Sequence, residues 1–298
     1  KSHHYGCVLA GAQPYYVEAF PLTAYSMYGS VPLRTIKKAL LDLKAAGRLD
    51  KVRMIALTNV TFDGHMYDTR RVMEECLAIK PDLVFMWDEA WFGFGRFNWM
   101  YRRRTAMGAR REIAEWFADP RSLEAYLEQQ KTLGADLDPA DPRLLYMRLV
   151  PDPRVARIRV YQTNSTHKSM SSLRQGSMVL VGDQDFHHHE APFHEAVFTH
   201  ASTSPNLQII ASLDVARRQM ELEGYELVTH AIALAIEIRR DVNAHPLVSK
   251  YFRVLEPAEM IPQEFRPSGL VSYTESGVTW AQALEAFRRD EFVLDPTR

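Results

Sequence analysis

The 298 residues include only two cysteines, Cys7 and Cys76, with no C-x-x-C spacing. A disulfide framework or a thiolate zinc site is therefore not expected, and a reducing compartment fits. Both are read as buried thiols. No apolar run approaches the roughly 18 residues of a membrane span, and Lys1-Ser2-His3-His4-Tyr5 has none of the pattern of a signal peptide. The resulting expectation is a cytoplasmic protein. Charge of one sign is missing too: 36 Lys plus Arg face 37 Asp plus Glu, a formal net charge of -1, which argues against a nucleic-acid surface spread over the whole domain. There is no opening methionine, and Leu294-Asp295-Pro296-Thr297-Arg298 closes the chain without a terminal helix, as expected of a segment of a longer protein. What is present is ordinary. At 46% apolar and 24% charged residues, the chain can bury a substantial core without a staple.

Between Val8 and Asp88, short apolar runs alternate with helical periodicity. Gln13 to Phe20 reads as a strand, Leu33 to Ala46 as an amphipathic helix, Val52 to Thr58 as a strand, Thr69 to Ile79 as a helix and Leu83 to Trp87 as the next strand. This order predicts an α/β fold: a mostly parallel central sheet with helices on both faces and a ligand site at the carboxyl ends of its strands. Tyr101 to Pro153 breaks the rhythm with helical stretches at Glu112 to Phe117 and Leu123 to Leu133, then a Pro/Asp-rich stretch from Asp136; it reads as an insertion on the sheet domain. Strands resume at Val155 to Tyr161 and Ser177 to Val181, and Leu207 to Leu222 and Leu227 to Val242 read as two long helices. A large domain thus covers residues 1–245, with an insertion at about 101–153. Residues 246–298 read as a linker or the start of a further subdomain.

The most informative residues are Ser165-Thr166-His167-Lys168, which follow the apolar-alternating run ending at Tyr161. A lysine at the mouth of a strand, preceded by a histidine and two hydroxyls, suits an imine to pyridoxal 5'-phosphate. Its amine attacks a carbonyl only if burial or neighbouring charge lowers its pKa, and a place between turn and strand supplies such a setting. Asp88, leaving the carboxyl end of a buried strand, is the partner a pyridinium nitrogen needs. Ser165 can donate to the cofactor phosphate, and His167 can touch the leaving carboxylate or relay a proton. Ala90 leaves room for the flat ring, and Trp91 walls the pocket. The bland readings stand beside these: a Ser-x-His-Lys string is often a surface turn, and an aspartate after a strand is often a helix cap. The two gain weight because they fall at one sheet edge. His187-His188-His189 with His194 and Glu190 could bind a metal, but a solvated loop is the better reading and no metal is called for. Arg102-Arg103-Arg104 with Arg110-Arg111 could hold phosphate or an acidic partner; a charged helical face is the alternative. The aromatics from Trp87 to Tyr101 default to core packing, and Gly93-Phe94-Gly95 lacks the third glycine of a dinucleotide loop.

Thr163-Asn164-Ser165-Thr166-His167-Lys168 followed by Gln175-Gly176-Ser177-Met178 resembles the Schiff-base segment of the Orn/Lys/Arg decarboxylases, a bacterial family with the aspartate aminotransferase fold (fold type I). Thr58 to Gly64, Asp88-Glu89-Ala90-Trp91 and His200 to Pro205 agree in order, and the resemblance runs from Lys1 to about Val242. It implies that Lys168 is the imine lysine, Asp88 the pyridinium partner, Ala90 and Trp91 ring-side residues, Ser165 a phosphate ligand and His167 the substrate-side histidine. Ser202 falls where the family has a hydroxyl reaching the phosphate of the neighbouring subunit, which implies a homodimer with shared active sites.

The family's phosphate-binding turn and the histidine stacking on the cofactor ring would lie just before Lys1, and its small domain near or after Arg298. The expected activity is pyridoxal-phosphate-dependent decarboxylation of an amino acid, a basic one such as lysine, arginine or ornithine. An aminotransferase or lyase, or a non-catalytic domain keeping the fold, are the alternatives.

Overall fold

The computed structural model describes residues 2–134 and 138–298; positions 136 and 137, which open the Pro/Asp-rich stretch, lie outside them. Four strands form the central sheet in the order Met54–Thr58, Val84–Asp88, Arg159–Asn164, Met178–Asp183. The first three run parallel and the last is antiparallel. Register fixes the site: Asp88 stands opposite Thr58 on one side and Thr163 on the other, so three strands deliver their carboxyl ends to one edge. Phe85 and Trp87 alternate inward from the middle strand and are about 1% exposed, as the period of two requires.

Local signals set the helices. Asp68 caps Thr69–Ile79 by accepting from the Arg71 N–H, and Thr105 does the same for Ala106–Ala118 through Gly108. Pro120–Leu133 starts on Asp119 with proline in its first turn. In Leu33–Ala45 the residues Leu33, Ile36, Leu40 and Leu41 form one buried face.

Several expectations are corrected. Residues 13–20 form no strand; Tyr15 and Tyr16 are exposed, and no described strand lies beside them to pair their backbone. The strand expected from Val155 begins at Arg159 and reaches Asn164. The two helices expected after Leu207 are one, Leu207–Ala244. Gly224, which would weaken a free helix, sits where a Cβ would come 2.9 Å from Phe97 Cβ, so packing against the Gly93–Phe97 turn accounts for it. The start of the expected insertion is core: Tyr101, Ala106, Ala109 and Ile113 are fully buried. Leu247, Tyr251 and Phe252 are exposed, but from Met260 on the chain packs into the core and is not a linker. Phe265, Phe287 and Phe292 join the same apolar cluster as the sheet, and Phe292–Leu294 pairs antiparallel with His65–Tyr67. Cys76 is buried, which pushes its thiol up, but Cys7 is only half-buried. No described helix is long and apolar enough to cross a membrane.

Candidate active site

Asp88 and the Ser165–Lys168 turn are laced together by backbone. Glu89 N–H donates to Thr163 O (2.9 Å) and Ser165 N–H to Ala90 O (3.3 Å), while Asn164 Nδ2 donates to Glu89 O (2.8 Å). The Asp88 carboxylate accepts from the Ala90 N–H at 3.0 Å and, more weakly, from the Thr163 hydroxyl at 3.5 Å, both on Oδ1. Its Oδ2 lies 3.0 Å from His3 Nε2. The His3 contact, more than its own partial burial opposes, holds the Asp88 carboxyl below the usual carboxylate range, and the charge of Lys168 adds to the effect. Asp88 is therefore ionised at neutral pH.

Lys168 lies in the Thr166–Ser169 turn, its Nζ 5.3 Å from the centroid of the Trp91 ring. That is a cation–π distance. The Arg298 guanidinium stands 4.9 Å from the same ring, and Phe62 packs edge-on against it. The burial expected of this lysine is not seen: Lys168 is exposed. Among the described residues it makes no ion pair.

His167 is anchored twice on one carbonyl. Its N–H (3.2 Å) and its ring Nδ1 (2.9 Å) both face Gly176 O. Since the carbonyl can only accept, Nδ1 carries the hydrogen and Nε2 is left to accept or hold a proton. Three buried polar atoms nearby have no partner: Thr166 Oγ1, Ser169 Oγ and Trp91 Nε1. Buried donors are rarely left so, and a group bound here would account for them.

The structure therefore brings Asp88, Ala90, Trp91, Ser165, His167 and Lys168 to one edge. Ser202 is elsewhere in the contact network: it is exposed, and its hydroxyl accepts from the Ser204 N–H at 3.1 Å. His187–His189 form a turn before the Glu190–His200 helix, where His194 stands 3.7 Å from Glu190.

Pattern reading missed two residues, His3 and Glu89. His3 holds Asp88. Glu89 is fully buried, and burial pushes its carboxyl up to about 8; Oε1 accepts from Asn59 Nδ2 (2.9 Å) and the Ala106 N–H (2.7 Å). Asn59 in turn reaches Arg104 O and takes the Tyr67 N–H. The one signal for Glu89 was a second carboxyl beside Asp88.

An ionised carboxylate at a strand end, an unpaired amine over an aromatic ring and unpartnered hydroxyls beside it make a donor set that fits pyridoxal phosphate. Comparison with known proteins agrees in class. The family model for the major domain of Orn/Lys/Arg decarboxylases matches residues 1–120 and 145–298, and this chain belongs to that family. The lysine decarboxylase LdcA of Pseudomonas aeruginosa is 29% identical over 248 residues, 80% of this chain and 27% of that protein. The biodegradative arginine decarboxylase of Escherichia coli is 26% identical over 249 residues, with the same coverage of 80% and 27%. The solved structure of lysine decarboxylase A from Pseudomonas aeruginosa superposes with a TM-score of 0.55 at 23% identity, covering 88% of this chain and 30% of that one, which supports the fold. The chain thus spans under a third of the length of these relatives. The family match leaves out 121–144, a stretch that includes most of the Pro120–Leu133 helix.

Proposed function

We propose that the protein carrying this chain decarboxylates a basic amino acid, of the lysine, arginine and ornithine class, with pyridoxal 5'-phosphate attached to Lys168. The observation that carries this is the meeting of Lys168 with an Asp88 kept ionised, at the edge where three strands end. When bound, the cofactor supplies an electron sink for the electron pair released at the amino acid α-carbon. The chain's own residues do the rest. Asp88, negative at neutral pH, holds a proton on the pyridine nitrogen and so deepens the sink. Lys168 would hold the cofactor covalently through its side-chain nitrogen. Trp91 walls the ring, Ala90 leaves room beside it, and Ser165, with Thr166 and Ser169, offers hydroxyls to the phosphate. His167, fixed in one tautomer by Gly176, presents Nε2 to hold or deliver the proton that replaces the carboxylate.

Ser202 serves a neighbouring subunit in this reading. Phe198 and Leu207, on either side of it in the chain, are both mostly exposed and available to a second copy. This reading implies a homodimer with shared active sites. Residues 1–245 hold the cofactor contacts, and a cytoplasmic setting fits the cysteine use.

The test uses the full-length protein. After loading with pyridoxal phosphate and reducing with borohydride, peptide mass spectrometry should find the pyridoxyl group on Lys168, and carbon dioxide should be released from lysine, arginine or ornithine without a keto acid acceptor. Lys168→Ala should lose both, with a folding stability changed by no more than ~0.5 kcal/mol, as for an exposed site. A label on another lysine overturns the reading; keto acid dependence supports an aminotransferase, and no cofactor uptake supports a non-catalytic domain.

A further inference from the structure

Two arginine-rich stretches close on one cleft. It has a volume of about 410 Å³ and is lined by Arg96, Arg102, Arg110 and Arg111, with Met107 and Gly182 beside them. Neighbouring arginines are neutralised in the usual way: Arg70 and Arg103 share Glu112 at 3.2 and 3.9 Å, and Arg111 has Glu115 at 3.6 Å. Among the described residues Arg96, Arg102 and Arg110 have no carboxylate within ion-pair distance. Asp183 is the acidic residue in the lining; its Oδ2 accepts from the Tyr161 hydroxyl (2.8 Å) and its Oδ1 from the Asp185 N–H (2.7 Å), and it forms no ion pair with these arginines.

The arrangement is held open. Arg102 Nε donates to Arg96 O at 3.0 Å, which fixes one stem against the other turn. Arg110 Nε is buried and has no acceptor, and its stem lies on the backbone of the Met178–Asp183 strand: a Cβ at Gly182 would come within 3.2 Å of Arg110 Nε and 3.0 Å of Met107 Sδ. The Arg102 guanidinium is held below its ordinary value by partial burial and then by the charges of Arg96 and Arg111. Three crowded, unneutralised guanidinium groups carry more forked N–H donors than two carboxylate oxygens can use, and phosphate oxygens match them in charge and number.

We propose that this cleft binds a small phosphorylated molecule through a diphosphate group held by Arg96, Arg102 and Arg110. The lining of this cleft includes neither Asp88 nor Lys168, although Arg96 also lines a smaller pocket that reaches Asn164 and Thr166. A single phosphate leaves part of the positive charge uncovered, and a citrate-like carboxylate lacks the tetrahedral set of acceptors.

The full-length protein, loaded with pyridoxal phosphate and reduced with borohydride, is titrated with inorganic pyrophosphate, inorganic phosphate and citrate by calorimetry. Pyrophosphate is expected to bind saturably with one site per chain, more tightly than the other two, and to weaken as salt rises. Arg102→Ala and Arg110→Ala should each weaken it about tenfold, the loss of a charge-assisted hydrogen bond. Arg96→Ala, at the exposed rim, tests the same point in a variant whose folding is not at risk. Absence of saturable binding, equal binding of citrate, or arginine variants that bind as well as the parent would each overturn the proposal.

Discussion

Lys37 and Lys168 stand in regions built on opposite rules. Lys37 is 1% exposed, lies 2.6 Å from Glu75 Oε2 and donates to Met147 O at 2.9 Å. The other Glu75 oxygen takes Arg71 at 2.7 Å, and Glu74 next to it holds Arg70 and Arg148 at 2.8 Å each. Every charge in that layer between Leu33–Ala45 and Thr69–Ile79 has its counter-charge. At the sheet edge, Lys168 is exposed and unpaired, and three buried polar atoms lie around it without partners. The first region spends its polar groups on fixing one arrangement of helices. The second leaves them for something else to satisfy, the mark of a site more than of a scaffold.

Breaking the satisfied region should cost most. Glu75→Ala leaves the Lys37 ammonium buried without its partner, and urea unfolding should show a loss of ~3–5 kcal/mol. Exchanging the pair together for apolar residues, Lys37→Met with Glu75→Leu, should restore most of it; a double variant as unstable as the single one would contradict the comparison.

Gly176 tests how stiff the open region is. A Cβ there would meet Ser172 Oγ at 2.8 Å, Leu213 Cδ2 at 2.9 Å and Leu173 O at 3.1 Å. The last is backbone and cannot swing aside, so Gly176→Ala should displace the carbonyl that anchors His167 and cost ~1–3 kcal/mol. Carbon dioxide release should fall with it.

The smallest effect belongs to His3 and Asp88. His3 is raised above its usual 6.5, chiefly by the Asp88 contact, and Asp88 is lowered below its usual 3.8, chiefly by His3. The raised histidine contributes fully below pH 6.5 and loses its contribution as pH rises through its higher folded value. The lowered aspartate contributes fully above 3.8 and loses its contribution as pH falls through its lower folded value. The contact is therefore strongest between about pH 3.8 and 6.5. With His3 well exposed the gain is ~0.5 kcal/mol or less. Proteolysis of the Ser2–Leu9 helix should be slowest in that window, and His3→Ala should remove the pH dependence. An identical profile in both proteins would show that the contact holds nothing.

What could be read in the sequence follows from distance along the chain. Thr69–Ile79 agrees residue for residue because its start signal, Asp68, and its apolar face are local. Asp88 and the Ser165–Lys168 turn could be set on one edge because each ends an apolar run and parallel strands share a direction. The fate of 13–20 could not be read, since a strand needs a neighbour that the pattern does not reveal. One continuous Leu207–Ala244 helix depended on Phe97, more than 100 residues away, filling the space at Gly224. His3 on Asp88, the exposure of Lys168 and the core role of Phe287 and Phe292 are all long-range facts of this kind.

The pairing of His65–Tyr67 with Phe292–Leu294 also sets a timetable. During synthesis at ~5–20 residues per second, on the order of ten seconds or more must pass between the emergence of the first strand and that of its partner. Through that interval Met66, Tyr67 and the Phe20 side of the core, all buried once folding is complete, have no mate. Arg104 waits as well, because its acceptors are the carbonyls of Ala286, Phe287 and Asp290. The nascent chain is thus open to misassociation until residues 292–294 emerge, and a chaperone that shields residues 65–67 would act in that interval.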